Sequence, residues 1–206
     1  MVQLLAVTDY IESLAVAEQE FGIYRNNNPA FFTEWCQDLP ELNIIDRQRL
    51  DLIKQRYLYQ RQYGHLLEGA VNFVVIAPLL ELAGFYDPPF RLRSEASIRL
   101  ELEDKNGTIY QGRIDSLVLQ NNLWIVLVES KRTSFSAELA LPQAIAYMAA
   151  NPDRDHPTFG RVSNGTYFIF IKLHQGQYDF SEDFSLNRRQ NELYGVLQGL
   201  NRLKML

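Results

Sequence analysis

The chain has 206 residues, 47 % of them hydrophobic and 22 % charged, which suits one sizeable globular core. A formal net charge of -5 and a pI near 5.3 exclude a protein that holds nucleic acid by a broad positive field, so any phosphate contact must be local or assisted by a metal or a partner. Cys36 stands alone, which excludes a disulfide framework and a thiolate metal cage, and His65, His156 and His174 are too scattered for a zinc motif.

The opening MVQLLAVTDYIE has neither the basic flank nor the apolar core of a secretion signal, and the apolar stretch from Phe73 to Leu80 is too short to span a bilayer. The expectation is therefore a cytoplasmic chain with no membrane partner. Asp9 with Glu12 reads as a capping box that opens a helix toward Gly22. The aromatic segment AFFTEWCQDLP reads as a short helix ending before Pro40, with Phe31, Phe32 and Trp35 as core or docking residues. Asp46 is expected to cap a longer helix through Leu50, Leu52, Ile53 and Tyr57. In HLLEGAVNFVVIAPLLELAGF the apolar residues Leu67, Val71, Val74, Val75, Leu79 and Leu82 follow the helical period, with Pro78 kinking the helix and Gly84 ending it.

From residue 95 the period changes to two. ASIRLELE, TIYQGRIDSLVL and LWIVLVES read as a three-stranded meander, with turns at Lys105-Asn106-Gly107 and Asn121-Asn122. A helix from Pro142 to Ala150 follows, then a strand TYFIFIKL, a short strand Gln177 to Phe180, and an amphipathic helix in the tail from Asn187 to Leu206. This order predicts an α/β fold, a mixed sheet flanked by helices. Residues 1–60 form an N-terminal helical extension and residues 61–206 the main domain.

The third strand of the meander carries the chemistry. Its apolar run Leu123 to Val128 passes without a turn into Glu129, Ser130, Lys131 and Arg132. Charges at the end of a buried strand are costly unless they find a partner or a metal, and Asp115 on the preceding strand could share that metal. Asp and Glu are hard oxygen ligands suited to Mg²⁺, and the Ser130 carbonyl falls between Glu129 and Lys131 as a further ligand. Glu129 and Lys131 point to one face of a strand, which sets a water-orienting ammonium beside the metal ligand. The tripeptide E-x-K alone is weak, since chance supplies it in roughly one chain in three of this length. Glu103-Asp104-Lys105 also matches, but it runs into a turn with no aspartate strand before it and reads as solvated.

Register sets a condition on this site. A two-residue turn at Asn121-Asn122 would put Asp115 across from Val128 and on the wrong face. A three-residue loop, Asn121 to Leu123, would put Asp115 across from Glu129 with Cβ atoms about 5 Å apart. The expectation is therefore such a loop or a β-bulge. Arg91, Arg93, Arg99, Arg113, Arg132 and Arg161 lie in the strand-rich middle, either as a local phosphate-binding stripe or as solvated strand faces.

GRIDSLVL, VLVESK and the downstream helix with Gln143 and Tyr147 resemble the PD-(D/E)xK nuclease superfamily. The likeness is nearest to the N-terminal nuclease domain of the R subunit of type I restriction enzymes. EGAVNFVVIAPLLELAGF resembles that family's opening helix, and RVSNGTYFIF resembles the strand after an Asn-Gly pair. The resemblance implies a restriction-endonuclease-like fold over about residues 64 to 174 and a metal-dependent endonuclease that hydrolyses DNA phosphodiesters. It implies Asp115 and Glu129 as metal ligands, Lys131 as the catalytic lysine, Glu68 as an auxiliary carboxylate and Gln143 as a helix residue facing the site. Arg113 and Arg132 flank the site and are candidates for phosphate contact, while Tyr147 reads as packing. The implied cofactor is Mg²⁺, with Mn²⁺ able to substitute, and the implied partners are DNA and other restriction-system subunits; a homodimer is left open. The rival reading is a catalytically inactive nuclease-like module that binds a partner or nucleic acid, since the chain shows no P-loop motor motif.

Overall fold

The computed structural model describes residues 4–94, 102–103, 109–111, 116–120, 123–129 and 136–206. In chain order these form β1 (Leu4–Ala6), α1 (Val7–Tyr10), α2 (Leu14–Phe21), β2 (Tyr24–Arg25), α3 (Ile44–Arg61), α4 (Glu68–Val71), α5 (Ala77–Leu82) and β3 (Arg91–Ser94). Then come β4 (Leu102–Glu103), β5 (Ile109–Gln111), β6 (Ser116–Gln120), β7 (Leu123–Glu129), α6 (Leu141–Ala149), β8 (Thr158–Ser163), β9 (Tyr167–His174), β10 (Gln177–Phe180), β11 (Phe184–Ser185) and α7 (Leu193–Leu203). A π-helical turn, Asn72–Ile76, joins α4 to α5, and a 3₁₀ turn, Ala137–Ala140, precedes α6.

The main sheet runs β2-β10-β9-β8-β7-β6-β3, with β11 on β9, and a separate small sheet runs β1-β5-β4. The β7–β8 pair is parallel and is connected through α6, whereas β6–β7, β8–β9 and β9–β10 are antiparallel. This is the expected mixed α/β sheet flanked by helices. Strand β9 is buried along most of its length because helices cover both faces, which is why its sequence is almost continuously apolar.

Alternation along β8 and β9 divides the core in two. Val162, Ile169, Ile171 and Leu173 face a cluster that contains Val7, Ile11 and Ala17 together with Ala144, Ile145, Tyr147 and Met148 of α6. Phe159, Phe168 and Phe170 face the other cluster, which holds Leu50, Ile53 and Tyr57 of α3, Val71, Val75 and Leu79 of the α4–α5 helix, and Val196, Leu197 and Leu200 of α7. So α1, α2 and α6 cover one face, and α3, α4, α5 and α7 cover the other.

Several local expectations change. Helix α2 is capped by Ser13, whose Oγ accepts from the Val16 N–H at 3.3 Å, and Asp9 sits in the separate short α1; Gly22 ends α2 as expected, with φ of 64°. Asn43 caps α3 by accepting from the Asp46 N–H at 2.8 Å, so Asp46 lies in the first turn. Residues 30–40 form turns, because tertiary bonds outweigh propensity there: the Lys172 ammonium reaches from β9 to the Phe31 carbonyl at 2.8 Å and to the Glu34 carboxylate. Phe32 is buried and Phe31 and Trp35 pack against the same cluster, as core residues. Pro78 offers no N–H to the turn before it, and the helix widens into the π turn rather than breaking. The tail helix starts only at Leu193, since Lys54 of α3 holds the Arg188 and Gln190 carbonyls at 2.6 and 2.9 Å.

The expected meander strand TIYQGRIDSLVL is divided. Its first part, β5, pairs with β1 and β4, and its second part, β6, pairs with β3 and β7 in the main sheet. Asp115 belongs to the link 112–115, which lies outside the described residues.

Candidate metal and phosphodiester site

Glu129 is the last residue of β7 and stands in parallel register with Ser163, the last residue of β8. Ser163 is 1 % exposed, and its Oγ accepts from the Gly165 N–H at 2.9 Å. Asn164 closes the turn, its Oδ1 accepting from the N–H groups of Thr166 at 3.0 Å and Tyr167 at 2.8 Å. Gly165 has φ of 81°, and a Cβ there would lie 2.5 Å from Val71 Cγ1, so only glycine lets α4 seat on this turn.

Helix α4 begins at Glu68, three residues before Val71, on the sheet face that carries Phe159, Phe168 and Phe170. Arg61 fastens the same corner, donating to Asn187 Oδ1 at 2.7 Å and to Thr166 Oγ1 at 3.5 Å. A short series of contacts therefore links the strand that ends in Glu129 to the helix that starts with Glu68. Glu68 is half-buried.

Gln143 is the third residue of α6 and is half-buried. In a crossover between parallel strands the first turn of the helix follows the carboxyl end of the first strand, so Gln143 falls at the Glu129 end of the sheet. Tyr147, one turn on, is 2 % exposed within the apolar cluster and serves packing.

Asp115, Ser130, Lys131, Arg113 and Arg132 lie outside the described residues, and of Glu129 the structure gives the strand position. Among the described residues no three His, Cys, Asp or Glu side chains come together as a metal-holding group. The three-residue loop expected at Asn121 to Leu123 is corrected. Gln120 pairs with Leu123 and Ser116 with Leu127, so only Asn121 and Asn122 connect β6 to β7. The physical reason is that Leu123 joins the ladder rather than the loop, adding one cross-strand pair to the apolar run. The alternative expectation, a bulge, is not met within the described β6–β7 ladder, and Asp115 itself lies outside the described residues.

Strand β8 is missing from the sequence reading. Its sequence, Thr158–Ser163, is interrupted by Gly160 and Arg161, which hides the apolar alternation, although Pro157 and Asn164-Gly165 bracket it as turn signals. Arg161 is 2 % exposed, which corrects its reading as part of a solvated strand face, whereas Arg91 and Arg93 on β3 are exposed.

A cavity of about 700 Å³ lies at the opposite end of the sheet, between the ends of α2 and α6 and the start of β8. It holds the His156–Asp153 pair, with Nδ1 3.0 Å from Oδ2, and His174, and it is separate from the Glu129 end. No helix among the described residues is long and apolar enough to cross a membrane.

Comparison with known proteins adds one finding. Residues 79–179, just under half of the chain, match the family described as the type I restriction enzyme R protein N terminus. The matched stretch runs from Leu79 in α5 to Asp179 in β10 and includes Asp115, Glu129, Lys131, Gln143 and Arg161; Glu68 precedes it. No curated protein and no solved structure matches the chain.

Proposed function

With residues 79–179 related to the N terminus of the restriction enzyme R protein, we propose that this chain is a divalent-metal-dependent endonuclease that hydrolyses DNA phosphodiester bonds. The observation that carries the reading is that the matched stretch contains β7, which ends at Glu129, with α4 and its Glu68 seated beside the neighbouring β8 turn. Two acids, a backbone carbonyl and a lysine after a buried strand are the hard-oxygen and ammonium groups that such chemistry uses.

In this reading Asp115, Glu129, the Ser130 carbonyl and Glu68 hold Mg²⁺, and Mn²⁺ substitutes for it. A cation bound by these groups would supply charge neutralisation and Lewis acidity toward water. Lys131 orients the attacking water and offsets the negative charge that grows on the phosphoryl oxygens. The water oxygen would form a new bond to phosphorus as the bond to the leaving sugar oxygen breaks; the water would give up a proton to solvent and the leaving oxygen would take one up. Gln143 positions groups at the site from the first turn of α6, and Arg113 and Arg132 steady the phosphates on either side. DNA and other restriction-system subunits are the partners that this reading names.

The decisive assay incubates plasmid, linear duplex and single-stranded DNA with the protein, with and without Mn²⁺, beside Lys131→Ala and Asp115→Ala. Cleavage by the wild type that needs metal and disappears in both folded variants is expected. Undiminished cleavage by both variants refutes the assignment. The acidic net charge of -5 favours the rival, an inactive nuclease-like binding module. Calorimetric titration with Mg²⁺ or Mn²⁺ separates the two, because the inactive module gives no binding that depends on Asp115.

A further inference from the structure

We propose that the solvent face of α3 is a docking surface for single-stranded DNA, with Arg56 on a phosphate and Tyr59 and Tyr63 stacking on unpaired bases. Such a surface hands a strand to the nuclease site proposed above, and its purpose rests on that reading.

Helix α3 buries one stripe, Leu50, Ile53 and Tyr57. On another face Ile45, Arg49, Leu52, Arg56, Tyr59 and Tyr63 follow one another at spacings of three and four residues. They form a single line along the helix and its C-terminal turn, and all six are exposed. A helix face turned to water ordinarily carries polar and charged residues, whereas this one sets apolar and aromatic side chains between arginines. Tyr63 is 76 % exposed and Tyr59 54 %, and their rings meet edge to face with centroids 5.5 Å apart. Apolar surface left open in a continuous patch marks a place where something docks.

The charge of the helix says what docks. Helix α3 holds Arg47, Arg49, Lys54, Arg56 and Arg61 against only Asp46 and Asp51, in a chain of net charge -5. Both acids are tied off the stripe, Asp46 to the capping Asn43 and Asp51 to Asn191 and Tyr194. Glu81 of α5 pairs with Arg49 at 2.9 Å, and Arg56 has no ion-pair partner among the described residues. This is a local positive stripe on an acidic protein, which suits a phosphate chain.

Its place in the fold suits the same occupant. The Tyr57 hydroxyl lies 2.5 Å from Thr166 Oγ1, and Arg61 donates to Asn187 Oδ1 at 2.7 Å. Thr166 follows the turn that leaves β8 at Ser163, the register partner of Glu129. The C-terminal half of α3, with Tyr59 and Tyr63, therefore sits at the Glu129 end of the sheet, five residues before Glu68.

A second copy of the chain would set arginine against arginine on this face, a like-charge contact that costs affinity. Duplex DNA offers phosphates but keeps its bases stacked inside. An unpaired strand offers both phosphates and base faces, and base–aromatic stacking is the usual grip on such strands.

The test is fluorescence anisotropy of the full chain with labelled oligothymidylate of about 15 nucleotides, beside a duplex of equal length, in EDTA so that metal-dependent cleavage is silent. We expect the single strand to bind more tightly than the duplex. Tyr63→Ala and Arg56→Gln should each weaken it at least about fivefold, and Tyr63→Phe should keep most of the affinity. Arg56→Gln should also lower the slope of log affinity against log salt by about 0.7, a change that a purely structural role would not produce. Both positions are exposed, and circular dichroism checks that the variants keep the wild-type fold. Wild-type affinity in both variants, equal or tighter binding of the duplex, or no binding by the wild type overturns the proposal. A dimer seen by sedimentation and lost in either variant assigns the face to a second copy and overturns it as well. Binding that meets these expectations in a protein that cuts no DNA removes the nuclease reading alone. Metal-dependent cutting by a protein whose α3 variants bind normally removes the stripe alone.

Discussion

Replacing Gly165 by alanine tests the corner on which the site is built. Gly165 sits at φ of 81°, a region that costs an L-residue about 1–2 kcal/mol. The new methyl would also lie 2.5 Å from Val71 Cγ1 and 2.9 Å from Val71 Cγ2. Val71 is 2 % exposed and cannot swing into solvent, so overpacking adds roughly 1–3 kcal/mol. The total loss should be about 2–5 kcal/mol. Urea unfolding followed by tryptophan fluorescence measures it, with Trp35 packed against the same cluster as a reporter. Val71→Ala made on top of Gly165→Ala should recover the steric part and leave the backbone part, giving a coupling of about 1–3 kcal/mol. Because Val71 lies one turn from Glu68, folded Gly165→Ala should also bind Mn²⁺ more weakly than the wild type. A loss under about 0.5 kcal/mol, or strict additivity with Val71→Ala, would show that α4 does not bear on this turn.

Lys172 and Glu34 form an ion pair with side chains only 13 % and 16 % exposed. Lys172→Met should cost about 3–5 kcal/mol by stranding the carboxylate, and adding Glu34→Gln should return part of it; a loss no larger than a surface change gives would refute this. At Asp51, hydrogen bonds from Asn191 and Tyr194 hold the carboxyl below the usual carboxylate range and tie α3 to the turn before α7. A depressed carboxyl stabilises above its unfolded pKa of about 3.9 and loses that contribution as pH falls through the lower folded value. The melting temperature of the wild type should therefore fall more steeply below about pH 4 than that of Asp51→Asn, and parallel curves would remove the assigned tie.

The elements legible in the sequence are those whose pattern and packing agree. Helices α3, α4–α5 and α6 and strand β9 show apolar patterns that match the faces they bury. The losses have separate causes. In 30–40, a lysine from β9 satisfies the carbonyl of Phe31 and the carboxylate of Glu34, and no local propensity announces a partner 138 residues away. In β8, Gly160 makes room for Met148, whose Sδ would lie 2.6 Å from a Cβ there, and Arg161 buries a charge, so two adjacent residues break the strand pattern for tertiary reasons. The division of β5 from β6 is invisible because both halves read as strand and only their partners differ. At the site, sequence supplied the residue types and the order of the motifs. Sequence alone did not supply the register of β6 on β7, because Leu123 was free to enter either the loop or the ladder.

That register sharpens what the metal reading requires. With Gln120 on Leu123 and Ser116 on Leu127, the ladder by itself does not put Asp115 opposite Glu129; the nuclease reading needs a departure from plain alternation between Gln111 and Ser116. Cysteine pairs can read this directly, in a Cys36→Ser background because Cys36 is exposed. A disulfide needs Cα atoms about 4.4–6.8 Å apart with side chains on one face. Asp115→Cys with Glu129→Cys should close on mild oxidation, whereas Asp115→Cys with Val128→Cys should keep both thiols, as measured by free-thiol titration. The reverse outcome would set the two acids on opposite faces of the sheet, and no single cation could then be shared between them, however well the motif order matches.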